Sequence, residues 1–380
     1  MRDAVVAGIG TTKFGAFPET PNYVLATQAI LSALKDAEIT WKEVQSAYCG
    51  SVYQGTGSGH QALREIGLSG IPITNVENAC SSGSSAFRLG YQAVINGTYD
   101  TVIALGFEKM PKGAIPSTAF RPWQLQLGFN VQPANYALET MEYLHKYGHA
   151  IDDVSMVTLK NRKHGVLNPF ARFQKEVSLQ EINESRMIAA PLRLLHCAPT
   201  ADGAVCIVIT AKGKEKTPFR AVKIQAVTLC SGVYGDSFYQ NGMLRSVKYY
   251  PQEGFVEQSA REAFEASGIG PEDIDVIQAY DSMASGELWD LEKLGFCGPG
   301  EAPERMRSGW FSLGGGKPCN TDGGMMARGH PLGATGSAQI FELVMQLRGE
   351  AGGRQAEGAK TALAHAMGAG PNSSVTILSK

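Results

Sequence analysis

The chain runs to 380 residues, enough to bury one large core or two related ones, and two halves are the default expectation. Hydrophobic residues make up 43% and charged residues 18%, with 44 glycines and 18 prolines, which excludes a disordered chain and fits a compact one rich in tight turns. A net charge of −2, with no run of Lys and Arg dense enough to neutralise several phosphates, argues against a nucleic-acid binder.

Met1-Arg2-Asp3-Ala4-Val5-Val6-Ala7-Gly8 enters a strand-like run directly, without the apolar region and cleavage site of secretion, and no later apolar stretch reaches membrane-spanning length. The expectation is a soluble, cytoplasmic protein. Residues 5 to 10 read as a buried strand and 24 to 37 as a helix, and further short strands follow at 47–52 and 73–76. A helix is predicted from Cys80 to Ile95, then a strand at 101–107. From Pro111 to Ala189 the regular alternation gives way to aromatics, prolines and short helical patterns, which we read as an inserted loop domain. Regularity returns with a strand at 204–210, after which strand-like runs at 221–229, 274–279 and 374–378 alternate with helical ones at 259–268, 284–294 and 331–347. The expected division is 1–110 with 190–216 as one half, 111–189 as the loop domain and 217–380 as the other half.

The halves rhyme. Cys80-Ser81-Ser82-Gly83-Ser84-Ser85-Ala86 and His330-Pro331-Leu332-Gly333-Ala334-Thr335-Gly336-Ser337-Ala338 each open a predicted helix with small residues. Such helices have poor intrinsic propensity and make sense where sheets pack closely on both sides, which implies a layered α/β core.

A cysteine at a helix start meets free backbone N–H groups and the positive end of the dipole. Both would lower its pKa from about 8.5 and make Cys80 a nucleophile. The alternative is a buried structural cysteine. His330 sits on a glycine-flanked turn before a proline suited to a first helical turn, where it can exchange a proton with a thiol or a leaving group. Its alternative is a capping or core histidine. The seven cysteines are scattered and free of C-x-x-C spacing, so neither a disulfide framework nor a zinc site is supported.

Together the Cys80 run and the intact Gly-His-Pro-Leu-Gly-Ala-Thr-Gly run at Gly329 to Gly336 resemble the thiolase family over nearly the whole chain. His196-Cys197-Ala198-Pro199-Thr200-Ala201-Asp202-Gly203-Ala204 is similar to the sterol-carrier-protein type, where that run is structural. The resemblance implies two similar βαβαβαββ halves in a five-layer αβαβα sandwich with an inserted loop domain. It implies cleavage or formation of a 3-oxoacyl-CoA with CoA as co-substrate and no covalently bound cofactor. Cys80 would carry the acyl group, His330 would activate a thiol, and the N–H of Cys80 with one near Gly368 to Gly370 would form an oxyanion hole. At least a homodimer is implied, along with a small zinc-ribbon/OB-fold partner subunit that helps hold CoA.

Two positions depart from the family pattern. The His-Asp-Cys-Phe of the sterol-carrier-protein type reads Tyr280-Asp281-Ser282-Met283, and the C-terminal Cys-x-Gly cysteine falls at Ala366 in His365-Ala366-Met367-Gly368. A tyrosine hydroxyl can still donate to an oxyanion, whereas a serine is a poorer acid than a thiol. His365 is a candidate to take over the proton work or else a packed strand-end histidine, and Cys319, before the turn Asn320-Thr321-Asp322-Gly323-Gly324, is a fainter alternative acid. Met141 and His145, at i and i+4, are candidates to line a pantetheine tunnel or simply part of an amphipathic helix. Phe120, Trp123 and Phe129 either enclose a bulky acyl group or form local core. The altered positions point to a substituted or bulky substrate. The competing readings are a thiolase-fold aldolase or C-acyltransferase in which Tyr280 does the acid–base work without CoA thiolysis, and a non-catalytic lipid carrier or scaffold subunit.

Overall fold

A computed structural model describes residues 2–111, 122–126, 131–232, 254–369 and 371–380. The first half lays down β1 (Ala4–Thr11), α1 (Asn22–Asp36), β2 (Ser46–Gly50), α2 (Ser58–Arg64), β3 (Ile73–Val76), α3 (Ser82–Ile95) and β4 (Thr101–Glu108). Between β4 and the return strand lie α4 (Pro122–Gln126), α5 (Gln132–Tyr147), α6 (Ile151–Val166), α7 (Leu179–Glu184) and the small hairpin β5 (Met187–Ala189) and β6 (Leu192–Arg193). After β7 (Gly203–Ala211), the second half brings β8 (Val222–Val227), β9 (Cys230–Ser231), α8 (Phe255–Ser267), β10 (Val276–Gln278), α9 (Ala284–Lys293), α10 (Ala302–Arg307), α11 (Gly324–Arg328), α12 (Thr335–Arg348), β11 (Thr361–Gly368) and β12 (Asn372–Ser379). The region read as short helical patterns holds two helices of 16 residues each, α5 and α6. On α6 the buried face carries Asp153, Lys160, Asn161, Arg162 and His164, so an apolar period gave no warning of its length.

Strand order makes the duplication visible. Among the described residues ten strands join one sheet, β10-β11-β12-β8-β1-β7-β4-β2-β3, with β9 paired to β12. Outward from the β1–β8 seam, each half places its return strand, then the strand before it, then an inner strand paired parallel. In the first half β3 completes the edge beside β2; in the second the matching contact is a parallel bridge between Ile277 and Cys319. The seam is short, with Val5 and Val6 opposite Lys223 and Val222.

Helices cover the sheets as an αβαβα sandwich requires. On one outer layer α1 buries Leu25, Ala26, Ala29, Ile30, Ala33 and Leu34 at helical spacing, and α8 does the same beyond the other sheet with Phe255, Val256, Ala260 and Ala263. Between the sheets α12 is buried at 12 of its 14 positions and packs on α3. A Cβ on Gly83 would stand 2.5 Å from Ser337 Oγ and 2.7 Å from the Gly333 carbonyl oxygen, and one on Gly336 would meet Ser84 at 2.8 Å. Glycine at those two places lets the central helices touch, which brings the starts of both helices to one spot.

Candidate active site

The turn before α3 is tighter than a helix beginning at residue 80. Cys80 precedes the first helical residue, Ser82, and follows Ala79 in the left-handed region at φ 48°. Its sulfur is buried, with the backbone amides of Cys80 itself and of Ala369 and the hydroxyl of Tyr280 placed so that each lowers its pKa. Gly368 permits this approach of β11, since a Cβ there would lie 2.2 Å from the Asn78 carbonyl oxygen. Gly370 lies outside the described residues.

The expectation that Cys80 rests as a low-pKa thiolate is corrected. Burial pushes the thiol up to about 11, outweighing the lowering from Tyr280 and the two amides, and the nearby Glu108 carboxylate adds to the rise. Nearby charge and low dielectric decide here, and the donors serve the sulfur only once it becomes negative.

His330 comes from the other half. Its backbone N–H donates to the Pro199 carbonyl at 2.9 Å, so the 196–204 run clamps the histidine turn in place. Thr335 spends its one hydroxyl hydrogen on the Pro331 carbonyl at 3.0 Å; toward His330 it accepts, from Nδ1–H at 2.7 Å. The tautomer is thereby fixed, and Nε2 keeps its lone pair. Burial, with Arg328 behind it, pulls the His330 pKa down to about 3, so the ring is neutral at pH 7. Tyr280 joins the two halves of the site: it neighbours the Cys80 sulfur, and its ring meets the His330 ring edge-on with centroids 6.1 Å apart.

Tyr280, Asp281 and Ser282 alternate as an extended segment does. Asp281 turns to accept the amides of Met325 at 2.8 Å and Met326 at 3.2 Å, while the Ser282 hydroxyl donates to Tyr136 Oη. Asn161 donates to Asp281 at 2.8 Å and Lys160 stands 2.8 Å from Glu287, so α6 braces the segment from behind. Burial and the neighbouring Glu287 push the Asp281 carboxyl up to about 7.

Other expected residues land elsewhere. His365 is fully buried with both ring nitrogens engaged, Nδ1 with Asp290 at 2.9 Å and Nε2 with Ser373 Oγ at 2.9 Å, so neither faces a substrate. Alternation along β11 explains the placement, since residue 365 shares its face with Leu363 and Met367 rather than with Ala366. Cys319 is buried in the bridge to Ile277, its carbonyl accepting from Lys160 at 2.8 Å. Met141 and His145 lie on the exposed face of α5, while a 420 Å³ groove beside that helix is lined by Glu139, Glu142, Tyr143, Lys146 and Tyr147 instead. Trp123 is largely exposed, and Phe120 and Phe129 lie outside the described residues.

Two residues escaped sequence reasoning. Glu108, fully buried at the end of β4, accepts the amides of Val52 at 2.9 Å, Tyr53 at 3.0 Å and Gly333 at 2.9 Å. An acidic residue closing an apolar strand was the available signal. Tyr136 on α5 receives a hydrogen bond from Ser282 Oγ at 3.1 Å, and nothing local in the sequence marks it.

Residues 3–211 match the family model for the thiolase N-terminal domain, and residues 250–380 match the thiolase C-terminal domain-like model. Sterol carrier protein 2 of Oryctolagus cuniculus is 37% identical over 392 residues, which cover 98% of this chain and 71% of the rabbit protein. Benzoylsuccinyl-CoA thiolase subunit BbsB of Thauera aromatica is 35% identical over 378 residues, covering 97% and 95%. Among solved structures, the Ltp2-ChsH2(DUF35) aldolase superposes with a TM-score of 0.87 at 27% identity, covering 99% of this chain and 97% of that one.

Proposed function

The chain belongs to the thiolase family, and from that premise we propose that it is an acyl-CoA C-acyltransferase that cleaves or forms a substituted or bulky 3-oxoacyl-CoA through an acyl-Cys80 intermediate. The convergence of the Cys80 and Ala369 amides and the Tyr280 hydroxyl on one sulfur supports this reading above all. Those donors suit a charge that develops during reaction rather than one held at rest.

In the cleavage direction, His330 Nε2 removes the thiol proton, and Cys80 attacks the 3-oxo carbon. Both partners rest neutral, so the ion pair exists only while the reaction proceeds. The Cys80 and Ala369 amides receive the oxyanion of the tetrahedral intermediate. Collapse breaks the carbon–carbon bond and leaves an enolate on the departing acyl-CoA. Tyr280 supplies the hydroxyl beside that enolate, with Ser282 behind it. A second CoA thiol then takes the acyl group from Cys80. His365, with its nitrogens engaged, acts by holding β11 against Asp290, whose carboxylate also accepts the Tyr280 amide at 2.9 Å.

A second reading, an aldolase that bypasses the acyl-enzyme and uses Tyr280 as acid–base group, gains support from the aldolase superposition. Intact-protein mass spectrometry after incubation with 3-oxoacyl-CoAs separates the two. The acyltransferase reading expects an adduct on Cys80 whose mass identifies the acyl group, lost in Cys80→Ser. Full activity in Cys80→Ser would establish the aldolase instead.

The division into 1–110 with 190–216, 111–189 and 217–380 completes the reading. Strand β3 is an exposed sheet edge four residues before Cys80, which supports a homodimer closed through that edge. One similar protein is named as a subunit and another as a pairing with a DUF35 chain, which supports a small zinc-ribbon/OB-fold partner for CoA binding here; full activity and CoA affinity of the purified chain alone would remove it. All seven cysteines are unpaired, in keeping with a reducing, cytoplasmic setting. No helix among the described residues is long and apolar enough to cross a membrane.

A further inference from the structure

Residues Asn78 to Ser82 make the turn that presents Cys80, and most of their side-chain bonds stay local. The Asn78 amide donates to Ser82 Oγ at 2.9 Å, Ser82 Oγ donates to the Ala79 carbonyl at 2.6 Å, and Asn78 Nδ2 donates to Ser85 Oγ at 2.9 Å. Ser81, fully buried, reaches further. Its hydroxyl has one hydrogen and two acceptors in range, the Asn78 carbonyl oxygen at 2.9 Å and the side-chain oxygen of Asn372, 291 residues away. The Asn78 carbonyl already accepts the Ser81 backbone N–H at 3.1 Å, whereas the buried Asn372 oxygen would be stranded without the hydroxyl. The hydrogen therefore belongs to Asn372. Asn372 opens β12 and is the register partner of Gly368, the last paired residue of β11, with Ala369 next in the chain. At Gly368 the strand end touches the Cys80 turn, since the Asn78 carbonyl oxygen lies 2.2 Å from where a Cβ would stand. From the other side, the Gly232 amide donates to the Pro371 carbonyl at 2.8 Å. The Ser81–Asn372 bond thus crosses from the turn of the nucleophile to the strand end that carries Ala369.

We propose that Asn372 is a positioning residue for the oxyanion hole: through Ser81 it holds the end of the β11–β12 hairpin against the Cys80 turn and so keeps the Ala369 amide at a fixed depth beside the Cys80 amide. This rests on the acyl-Cys80 reading above. Attack by the sulfur turns a planar carbonyl into a tetrahedral centre whose oxygen carries the charge. Two N–H groups stabilise that charge fully only if both lie about 3 Å from the one oxygen. The first, at Cys80, is built into the turn before α3. The second arrives on a strand of the other half, so the spacing between them is set by tertiary structure. Sheet pairing alone leaves that strand end loosely placed. On one side it stops at Gly368 opposite Asn372, and on the other β10 pairs with β11 only over Ala362 to Ala364. The Ser81–Asn372 bond falls at the level where the pairing ends. Because Ser81 directly follows Cys80, the bond fixes the strand end relative to the nucleophile rather than to the sheet. Neither partner carries a charge, so the hold is the same at every pH at which the reaction runs.

Ser81→Ala and Asn372→Ala remove the two ends of the bond. The unaltered protein is first offered acetoacetyl-CoA, 3-oxohexanoyl-CoA and benzoylacetyl-CoA, and the best acyl donor to Cys80, identified by the mass it adds, is carried forward. Two rates are then measured in single turnover, well below the melting transition: acylation of Cys80 by that thioester, and alkylation of Cys80 by iodoacetamide, which forms no oxyanion. Each variant is expected to lose about tenfold in acylation, within the ~100-fold that a small misplacement at the reacting atoms can cost, while alkylation falls by clearly less. The double variant should be no slower than the slower single one, because both substitutions break the same bond. Should Asn372→Ala fail to fold, Ser81→Ala, which removes a single oxygen atom, carries the comparison of the two rates. Acylation at the unaltered rate in either variant, equal losses in acylation and alkylation, or losses that multiply in the double variant would overturn the positioning role. Absence of a Cys80 adduct on the unaltered protein with all three thioesters would instead overturn the acyl-enzyme reading beneath it.

Discussion

Cys80 and His330 rest in their uncharged forms for the same reason, burial, and that sets how the site responds to pH. A thiol near 11 is protonated throughout the neutral range, and its thiolate fraction climbs about tenfold per pH unit until that value is approached. Alkylation of Cys80 by iodoacetamide, followed by mass spectrometry, should therefore keep accelerating from pH 7 to pH 10; a plateau by pH 8 would contradict the burial argument. Tyr280 donates to the sulfur and lowers its pKa, so Tyr280→Phe raises that pKa further. Alkylation at pH 8 should slow roughly tenfold or more, the worth of one hydrogen bond to a charged group. His330 behaves with the opposite sign. Its protonated form is disfavoured by burial and by Arg328, so acidifying to pH 5 leaves Nε2 available, and any loss of activity between pH 7 and pH 5 arises elsewhere. These two residues were legible in the sequence because each opens a small-residue run whose type and order carry chemistry. The sign of the Cys80 shift was not. It depends on how many atoms of other elements surround the sulfur, which only the fold supplies.

At the scale of elements, the longer strands and helices could mostly be read from apolar periodicity, because they have one face to bury, whereas α2, α10, α11 and the buried strand β11 were not read at all. The exceptions are instructive. α6 hides its length behind a buried polar face, and α5 carries the Tyr136 hydroxyl on a face whose partner, Ser282, lies 146 residues away. No local pattern encodes such a pairing, since it follows from the angle at which one helix lies on another. The α3–α12 contact, in contrast, was written in the sequence as small residues, and it can be tested there. Gly83→Ala puts a methyl group 2.5 Å from Ser337 Oγ and 2.7 Å from backbone, so the helices must separate by some tenths of an ångström. We expect a loss of about 1–3 kcal/mol in denaturant unfolding. Activity should fall in the remaining folded protein, because the helices whose starts lead from Cys80 and His330 move apart. Gly353→Ala is the control, as its added methyl meets nothing nearer than 3.8 Å; equal losses from both substitutions would show that the close approach does not matter.

For the whole molecule, the site is where two halves with the same strand order present different side chains to each other, a cysteine from one and a histidine from the other. Their seam is short, so something else must keep the two turns in register. Glu108 does this: its carboxylate takes two amides from the first half, at Val52 and Tyr53, and one from the second, at Gly333, three residues beyond His330. Gln54 also donates to it, which fills its acceptor positions. Glu108→Gln replaces one acceptor oxygen with an NH2 group facing amides that already donate, so at least one buried N–H loses its partner. A penalty of about 1–3 kcal/mol follows for each amide stranded. Because Gly333 belongs to the His330 turn, the loss should fall on kcat more than on KM, as expected when a reacting group is misplaced by a fraction of an ångström while the substrate still binds. Removing the nearby negative charge also lowers the Cys80 pKa, so alkylation should speed up while turnover slows. General unfolding would expose Cys80 and give the same pair of changes, so both rates are measured well below the melting transition, where the variant is fully folded and only loss of the clamp can produce them. If Glu108→Gln turned over at the unaltered rate with unchanged melting temperature, the halves would have to be held in register by the central helices alone.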